Sequence, residues 1–452
     1  MEKKSDIEYL ANLLPARFAG SKRMPKGWVN GVDGWYIEDQ SSGGLRTLDI
    51  EHVPEKIVKM HNDPNSDKSI SSVYFGKICI HKCPSCFNDE IDVYGKQNKI
   101  LDLAQTLQLV DDAQVVSKEK FESVKFLGPG ELLMNPDLFK IIGEYSKRGI
   151  KLLIFTKGAL LGNDALAKKF QGHNGINTAK ELVDRLAACE NVRLLMSFQS
   201  FNHDLQDSLV SSTISGHKLG LENYSKVRDV ALVNIYNSNF FEKNGATQRI
   251  GIINAPIVEK NIGESFDIYK FFVERGFPVV STPTMVSGKG LNELEKQKCL
   301  VGWDSELVEL YSGIYVYNFE KKIQTIEQIQ AEGIASYAGA KPCNQVVYGL
   351  YIRANGDVQM CPGRRKNVIW GNAHNEKLRD IWENSKNRKI GLVERNRINN
   401  YCPAKDGSSF YNGFYKKVLK NVEAFVGTHK DIIQNAGKKR FGGEKKLRLQ
   451  TL

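Results

Sequence analysis

Residues 79–86 read Cys79-Ile-His-Lys-Cys83-Pro-Ser-Cys86 and place three cysteines on one short loop. The loop follows an apolar stretch, residues 72–80, which we expect to form a strand. Thiolates are the soft ligands of iron–sulfur clusters, whereas a structural zinc ion is normally enclosed by four ligands. Three thiolates on one turn can hold three irons of a 4Fe–4S cubane. The spacing therefore predicts a cluster whose fourth iron is open for chemistry.

This C-x3-C-x2-C spacing resembles the cluster loop of the radical S-adenosylmethionine (SAM) superfamily. The resemblance implies that Cys79, Cys83 and Cys86 bind a 4Fe–4S cluster whose free iron chelates the amino and carboxylate groups of SAM. It also implies that an electron from the cluster cleaves SAM to methionine and a 5′-deoxyadenosyl radical. That radical takes a hydrogen atom from the substrate.

Composition favours an ordinary soluble protein of two or three domains, with 452 residues, 41% apolar and 25% charged. No apolar run approaches the ~18 residues of a membrane span, and no apolar stretch of a signal peptide follows Met1. Eight cysteines are too sparse for a disulfide scaffold. Their grouping favours metal binding in a reducing compartment, so we expect a cytoplasmic location and no membrane partner.

The net charge of +11 includes a basic stretch at residues 438–448. Such a tail can attract nucleic acid through screened charge, but it is more often solvated. We therefore do not expect nucleic acid as a partner.

From about residue 71 the sequence alternates between short apolar runs and helical patterns. The runs predict parallel strands at 72–80, 123–127, 151–155, 192–198, 249–254 and 278–281. Helices are predicted between them, at 100–116, 136–148, 178–189 and 264–275. Six such units predict an α/β fold, a partial parallel (β/α)6 barrel whose ligands bind at the carboxyl ends of the strands.

Two motifs follow predicted strands and resemble SAM-binding segments of the family. Gly128-Pro-Gly130-Glu131 resembles the Gly-Gly-Glu motif, whose backbone and acid bind the methionyl amine, although Pro129 interrupts it here. Thr156-Lys-Gly is similar to the Thr-Asn-Gly motif near the ribose, with lysine in place of asparagine. Each stretch can also be read as a plain turn between a strand and a helix.

Two further strand ends carry weaker matches. Ser197 occupies the place of a family serine that meets the SAM carboxylate, and Asn254 that of a residue near the ribose. Either residue can instead be a helix cap or a turn residue. The basic partner expected for the carboxylate is not obvious, because Arg228 lies well downstream. Cys299 is a candidate hydrogen-atom donor to a product radical, with a buried structural thiol as the alternative.

A second cysteine group surrounds a predicted hairpin. Residues 346–359 contain an Asn-Gly turn between alternating strands, so Cys343 and Cys361 should be neighbours. A short amphipathic helix at Leu378–Asn384 and then Cys402 follow. This order resembles the twitch or SPASM extension of radical SAM enzymes, which implies one auxiliary 4Fe–4S cluster on these three cysteines. The fourth ligand stays open between Asp406, Cys299 and the substrate, and a zinc site is the alternative.

These assignments divide the chain into an N-terminal extension (1–70, an irregular cap or a short β element), a radical SAM partial barrel (71–300), an auxiliary-cluster domain (301–408) and a C-terminal helix with a basic tail (409–452). The resemblance implies modification of a peptide or protein by oxidation, crosslinking or epimerisation, with flavodoxin or ferredoxin as electron donor. The alternatives are a dehydrogenase of a small alcohol or an enzyme of nucleotide or cofactor biosynthesis. A non-catalytic iron–sulfur or zinc protein that binds nucleic acid belongs to another class and has no need of the Gly128–Glu131 motif.

Overall fold

The computed structural model describes residues 2–438 except 18–44, 66–78, 87–98, 118–120, 129, 215–216, 242–246, 248, 284–286, 291, 293–299, 341–344, 364–367, 387–388 and 390–412. Its strands are β1 Thr47–Ile50, β2 Ser123–Phe126, β3 Lys151–Thr156, β4 Val192–Ser197, β5 Ser212–Ile214, β6 His217–Leu219, β7 Ile250–Ile257, β8 Val279–Pro283, β9 Gly349–Ile352, β10 Asp357–Gln359 and β11 Gly371–Asn372.

Fourteen α-helices lie in the same described part of the chain. They are α1 Glu2–Leu13, α2 Glu55–Asn62, α3 Leu103–Val116, α4 Leu138–Lys147, α5 Asp164–Gln171, α6 Ala179–Ala188, α7 His203–Ser208, α8 Tyr224–Tyr236, α9 Glu259–Val273, α10 Trp303–Glu320, α11 Ile326–Glu332, α12 Gln345–Tyr348, α13 Leu378–Asn384 and α14 Phe414–Lys438. None of these helices combines the length and the apolar character that a membrane span requires.

Nine of the described strands form one sheet in the order β11-β10-β9-β1-β2-β3-β4-β7-β8. From β9 to β8 every neighbouring pair is parallel, and only β10 and β11 are antiparallel. The central strands are buried on both faces, as expected for a parallel sheet covered by helices. In this part of the chain the two outer strands, β11 and β8, are not paired with each other. The predicted partial α/β barrel is therefore confirmed.

Five of the six predicted barrel strands correspond to β2, β3, β4, β7 and β8 within a few residues. Most of the sixth prediction, residues 72–80, lies outside the described residues. The place beside β2 is taken by β1, with Thr47 opposite Ser123 and Ile50 opposite Phe126. The first 70 residues thus supply a central strand of the sheet, together with helices α1 and α2.

Two of the predicted helices, α3 and α6, begin with a side-chain cap. Asp102 accepts a hydrogen bond from the Gln105 backbone N at 2.7 Å, and the Gln105 side chain accepts one from the Asp102 N at 3.0 Å. Thr178 and Glu181 make the same reciprocal pair at the start of α6. Such capping boxes satisfy backbone N–H groups that have no partner inside the helix, so both helices begin at defined residues.

The predicted hairpin is confirmed as β9 and β10. Gly356 has φ +84°, a left-handed conformation that favours glycine, and its N–H donates to the Arg353 carbonyl at 2.9 Å. Glu51, directly after β1, accepts a hydrogen bond from the Ala354 N at 2.8 Å. Because β9 also pairs in parallel with β1, the hairpin continues the barrel sheet.

Helix α14 lies against α10 along the C-terminal part of the chain. Val418, Val422 and Val426 are buried at a spacing of four residues, which is the spacing of one helix face. The helix predicted within residues 409–452 is therefore present, whereas the basic tail after residue 438 lies outside the described residues.

Candidate functional site

A cavity of about 270 Å³ lies at the carboxyl ends of the central strands. Its wall is formed by the cysteine loop, by the ends of β2, β3 and β4 and by the segment after β10. Cys79, Cys83 and Cys86 line this cavity together with Cys361. The first cysteine group and Cys361, the described member of the second group, therefore face a common space.

The cysteine loop is short and held in place by its backbone. The Cys86 N–H donates to the Cys83 carbonyl at 3.3 Å, and the Lys82 N–H donates to Val210 at 3.0 Å. The three thiols are half-buried and form no disulfide. Burial raises the pKa of the Cys79 thiol, and the neighbouring Cys83 raises it further.

This loop fits an iron–sulfur cluster. Burial makes the Cys79 thiol costly to ionise, and a bound metal ion removes that cost because it takes the thiolate as a ligand. In the described part of the chain, no three His, Cys, Asp or Glu side chains converge as ligands of a single ion. In a cubane each thiolate binds a separate iron, so such convergence is not required.

Glu131 lies at the cavity wall. It follows two glycines whose φ angles are positive, which is a backbone conformation that favours glycine. Gly128 and Gly130 have φ values of +122° and +85°. The Glu131 Oε2 atom accepts a hydrogen bond from the Lys157 N at 3.0 Å, and among the described residues Oε1 has no hydrogen-bond partner. Burial raises the pKa of Glu131 to about 7. A buried carboxylate with an open oxygen is suited to an ammonium group.

Lys157, which was not predicted from the sequence as a site residue, supplies a cation at the same wall. Its Nζ atom donates to Ser197 Oγ at 2.8 Å and to Gln199 Oε1 at 3.1 Å. Both partners are neutral, and Lys157 forms no ion pair with the described residues. Two features of the sequence pointed to Lys157. It stands where the similar family motif has asparagine, and no basic residue had been found for the SAM carboxylate.

Arg228 does not supply that cation. It is fully buried, and its Nε and Nη2 atoms donate to Asp229 Oδ1 at 2.9 and 2.7 Å. Its Nη1 atom donates to the Ser200 carbonyl at 2.7 Å. The guanidinium is satisfied inside the protein and does not line the cavity.

The other predicted SAM-binding residues divide into two groups. Thr156 and Ser197 line the cavity, and the Thr156 Oγ1 atom accepts a hydrogen bond from the Gly158 N at 2.8 Å. Asn254 is fully buried but does not line it, whereas Ile253 and Ala255 do. Successive residues of a strand point to opposite faces, so Asn254 points away from the cavity. Neither of its amide atoms has a hydrogen-bond partner among the described residues.

Of the predicted auxiliary ligands, the structure describes Cys361. It follows β10 directly and is half-buried at the cavity wall. Cys343 and Cys402 lie outside the described residues, as do Cys299 and Asp406. The complete ligand set therefore stays a prediction.

A polar cluster of Asp49, Lys125 and Gln345 also lines the cavity. The Lys125 Nζ atom lies 2.8 Å from Asp49 Oδ1 and donates to Gln345 Oε1 at 3.0 Å. Burial raises the pKa of Asp49, while Lys125 and Gln345 act in the opposite direction. This cluster was not predicted from the sequence, although Lys125 and Asp49 are each the single charged residue of a buried strand.

Comparisons with known proteins add two family matches. A model described as "Radical SAM superfamily" matches residues 73–236, which include the first three cysteines and Glu131. A model of the SPASM domain, described as "Iron-sulfur cluster-binding domain", matches residues 343–404, which include Cys343, Cys361 and Cys402. No curated protein sequence matches the chain significantly.

Two solved structures are similar in fold. One is "Native anSMEcpe with bound AdoMet and Cp18Cys peptide", with a TM-score of 0.51 and 14% identity, covering 86% of this chain and 99% of the other. The second is "Crystal structure of Streptococcus suis SuiB bound to S-adenosylmethionine", with a TM-score of 0.40 and 15% identity, covering 77% of this chain and 65% of the other. At such identity the first likeness is a likeness of fold.

Proposed function

We propose that this chain, which belongs to the radical SAM superfamily and carries a SPASM domain, modifies a peptide or protein substrate by removal of a hydrogen atom. SAM bound to the 4Fe–4S cluster of such enzymes supplies the radical that takes this atom. The observation that carries the proposal is the common cavity lined by the cysteine loop, Glu131, Lys157 and Cys361.

The amino-acid part of SAM carries one positive and one negative group, and the cavity wall carries the complementary pair. We assign Glu131 to the ammonium group, because its Oε1 atom is buried without a partner among the described residues. We assign Lys157 to the carboxylate, with the Ser197 hydroxyl beside it as a second donor. Charge-assisted hydrogen bonds of this kind are stronger than neutral ones, and here Glu131 is buried and Lys157 is half-buried.

The cysteines hold the metal clusters. Cys79, Cys83 and Cys86 would bind the cluster that carries SAM, and Cys343, Cys361 and Cys402 the auxiliary cluster. An auxiliary cluster supplies either electron transfer or a binding position for the substrate. Cys361, the described member of this second group, lies at the wall of the same cavity.

The apolar part of the wall keeps water from the reacting atoms. Leu127, Phe155, Leu195 and Ile253 lie around the polar groups and expose carbon to the cavity. A radical formed in such a space meets the bound substrate rather than solvent. The chain's contribution is therefore orientation and exclusion of water.

A peptide substrate is favoured over a small molecule by the similar structure of anSMEcpe, which contains a bound Cp18Cys peptide. A dehydrogenase of a small alcohol and an enzyme of nucleotide or cofactor biosynthesis are the second candidates. We further propose an electron donor such as flavodoxin or ferredoxin, and a reducing compartment such as the cytoplasm, because thiolate ligands must stay reduced.

The proposed substrate class is tested with anaerobically reconstituted protein, SAM and dithionite. One reaction contains a pool of synthetic peptides, and a matched reaction contains a pool of small alcohols and nucleosides. We expect peptides that lose two hydrogens, form a crosslink or incorporate solvent deuterium at one residue, as measured by mass spectrometry. A Cys79→Ala, Cys83→Ala, Cys86→Ala variant should give no product. Products confined to the small-molecule pool would assign the protein to the second class.

A further inference from the structure

We infer that Asp49, Lys125 and Gln345 select an uncharged, hydrogen-bonding group of the substrate, such as an amide of a peptide chain. This inference rests on the proposed function and names the chemistry that the substrate must present. The three residues come from β1, β2 and the start of α12, so segments far apart in the sequence meet at one place in the wall.

The three side chains of the cluster are buried and held by short polar contacts, as in a binding site. The side chains of Lys125 and Asp49 are only 3% and 2% exposed, and their charged atoms are 2.8 Å apart. Gln345 accepts from the Lys125 Nζ atom at 3.0 Å and is itself buried. A buried ion pair is weak evidence for stability, because apolar residues of similar size often replace it without loss. Because the ion pair lies in the cavity wall, we attribute it to binding of a ligand and not to stability.

The amino-acid part of SAM does not need this cluster. Glu131 and Lys157 already match its two charges, and they stand after β2 and β3. Asp49 and Lys125 lie within β1 and β2, opposite each other in the parallel register. The cluster is therefore available to the second molecule that the cavity must hold.

Electrostatics decides which group the cluster accepts. Lys125 and Asp49 cancel in charge, so an incoming carboxylate approaches Lys125 only beside Asp49, and an incoming ammonium approaches Asp49 only beside Lys125. In a buried wall each such approach brings like charges within a few ångströms, which is costly at low dielectric. An amide avoids this cost, because its carbonyl can accept from Lys125 while its N–H donates to Asp49.

A glycine preserves the room for Gln345. A Cβ atom placed on Gly349 would lie 2.6 Å from both Cδ and Nε2 of Gln345, closer than real Cβ contacts come. Gly349 is the first residue of β9. The hairpin therefore begins with the residue that leaves the Gln345 carboxamide beside Lys125.

The test uses three related glycine derivatives: N-acetylglycine N-methylamide, which is neutral, N-acetylglycine, which is an anion, and glycine N-methylamide, which is a cation. Binding to reconstituted protein with SAM is measured by saturation-transfer NMR without reductant. We expect the neutral probe to bind at least about tenfold more tightly than either ion, the effect of about one well-placed hydrogen bond to a charged group.

The main variant is Asp49→Leu with Lys125→Met, which replaces the ion pair by apolar residues and should keep the fold. It should weaken the neutral probe at least about tenfold. The matched control is Thr47→Val with Ser123→Ala. Those hydroxyls form a buried pair at 3.1 Å on the same two strands but do not line the cavity. The control should bind the neutral probe like the parent protein.

A second variant keeps the inference testable if the double variant fails to fold. Gln345→Glu adds one negative charge to the cluster and should shift the preference to the cationic probe. Equal binding of the neutral probe by the parent and the double variant, no probe preference in the parent, or an unchanged preference in Gln345→Glu would overturn the inference. Failure of the proposed function is separate, because it appears as absence of peptide product while probe binding is still measured.

Discussion

Lys157 Nζ donates a hydrogen bond to Ser197 Oγ at 2.8 Å, across the ends of two adjacent strands, β3 and β4. Lys157 occupies the motif position where the family resemblance leads one to expect asparagine. Lys157 and Ser197, which we assign to the SAM carboxylate, are therefore joined by a hydrogen bond in this chain. The lysine reaches across one strand to the place where the SAM carboxylate is expected.

Replacement of Lys157 by methionine should weaken SAM binding by roughly tenfold to a hundredfold, because a charge-assisted hydrogen bond contributes about 1.5–3 kcal/mol. The variant should keep its iron, since Lys157 is not a cluster ligand. Anaerobic equilibrium dialysis with labelled SAM measures the affinity, and an iron assay measures the cluster. Lys168→Met on the exposed side of α5 is the control and should behave as the parent. SAM affinity equal to that of the parent would remove Lys157 from the site.

Replacement of Glu131 by glutamine should weaken SAM binding at least about tenfold, because the ammonium group loses its ionic partner. Glutamine retains an oxygen that can accept from the Lys157 N, so the turn after β2 should survive. Dialysis and iron content are measured as above. If iron is lost together with SAM affinity, Glu131 has a structural role instead.

Reconstituted parent protein should contain about seven to eight irons per chain, one cubane at each proposed site. The Cys79→Ala, Cys83→Ala, Cys86→Ala variant should lose about four of them. Cys189→Ala is the control, since this half-buried thiol donates to the Arg185 carbonyl and does not line the cavity. Loss of fewer than about two irons in the triple variant would count against the loop as a cluster site.

His52 should make the protein less stable in acid. Its Nε2 atom lies 2.8 Å from the Tyr145 hydroxyl, and burial lowers its pKa to about 4. The unfolded chain, with an ordinary histidine pKa of about 6.5, binds a proton first as the pH falls. Stability is therefore full above about pH 6.5 and declines towards pH 4, by about 2 kcal/mol at pH 5.

The His52→Gln variant tests this pH dependence, because glutamine can still pair with the Tyr145 hydroxyl and does not titrate. Thermal unfolding midpoints of the variant and the parent should approach each other as the pH falls from 7 to 5. A constant difference between the two proteins over this range would show that His52 does not titrate on unfolding.

The sequence predicted the parts of the fold that depend on local patterns. Apolar runs located β2 to β4, and the Asn355-Gly356 turn located the hairpin, since both signals lie within a few residues. Strand β1 was not located from the sequence, which left the first 70 residues as an irregular cap or a short β element. Asp49 of β1 is buried beside Lys125, and the sequence of β1 alone does not show this partner, because it comes from a later strand.

Site residues that belong to a short sequence motif could be predicted from the sequence. Site residues that come together only through strand pairing could not. The cysteine loop and Glu131 follow from spacing, whereas Gln345 joins Asp49 and Lys125 only through the pairing of β9 with β1. Asn254 illustrates the opposite error. It lies in a predicted strand, β7, as expected. Because side chains alternate along that strand, its neighbours Ile253 and Ala255 line the cavity and Asn254 does not.

The central claim is that the 79–86 loop and the cavity above it cleave SAM. Its most direct measurement is the yield of 5′-deoxyadenosine from SAM and dithionite under strict exclusion of oxygen, in the parent protein and in the triple cysteine variant. We predict steady formation by the parent and none by the variant. Equal yields from both proteins, or none from an iron-loaded parent, would contradict the account.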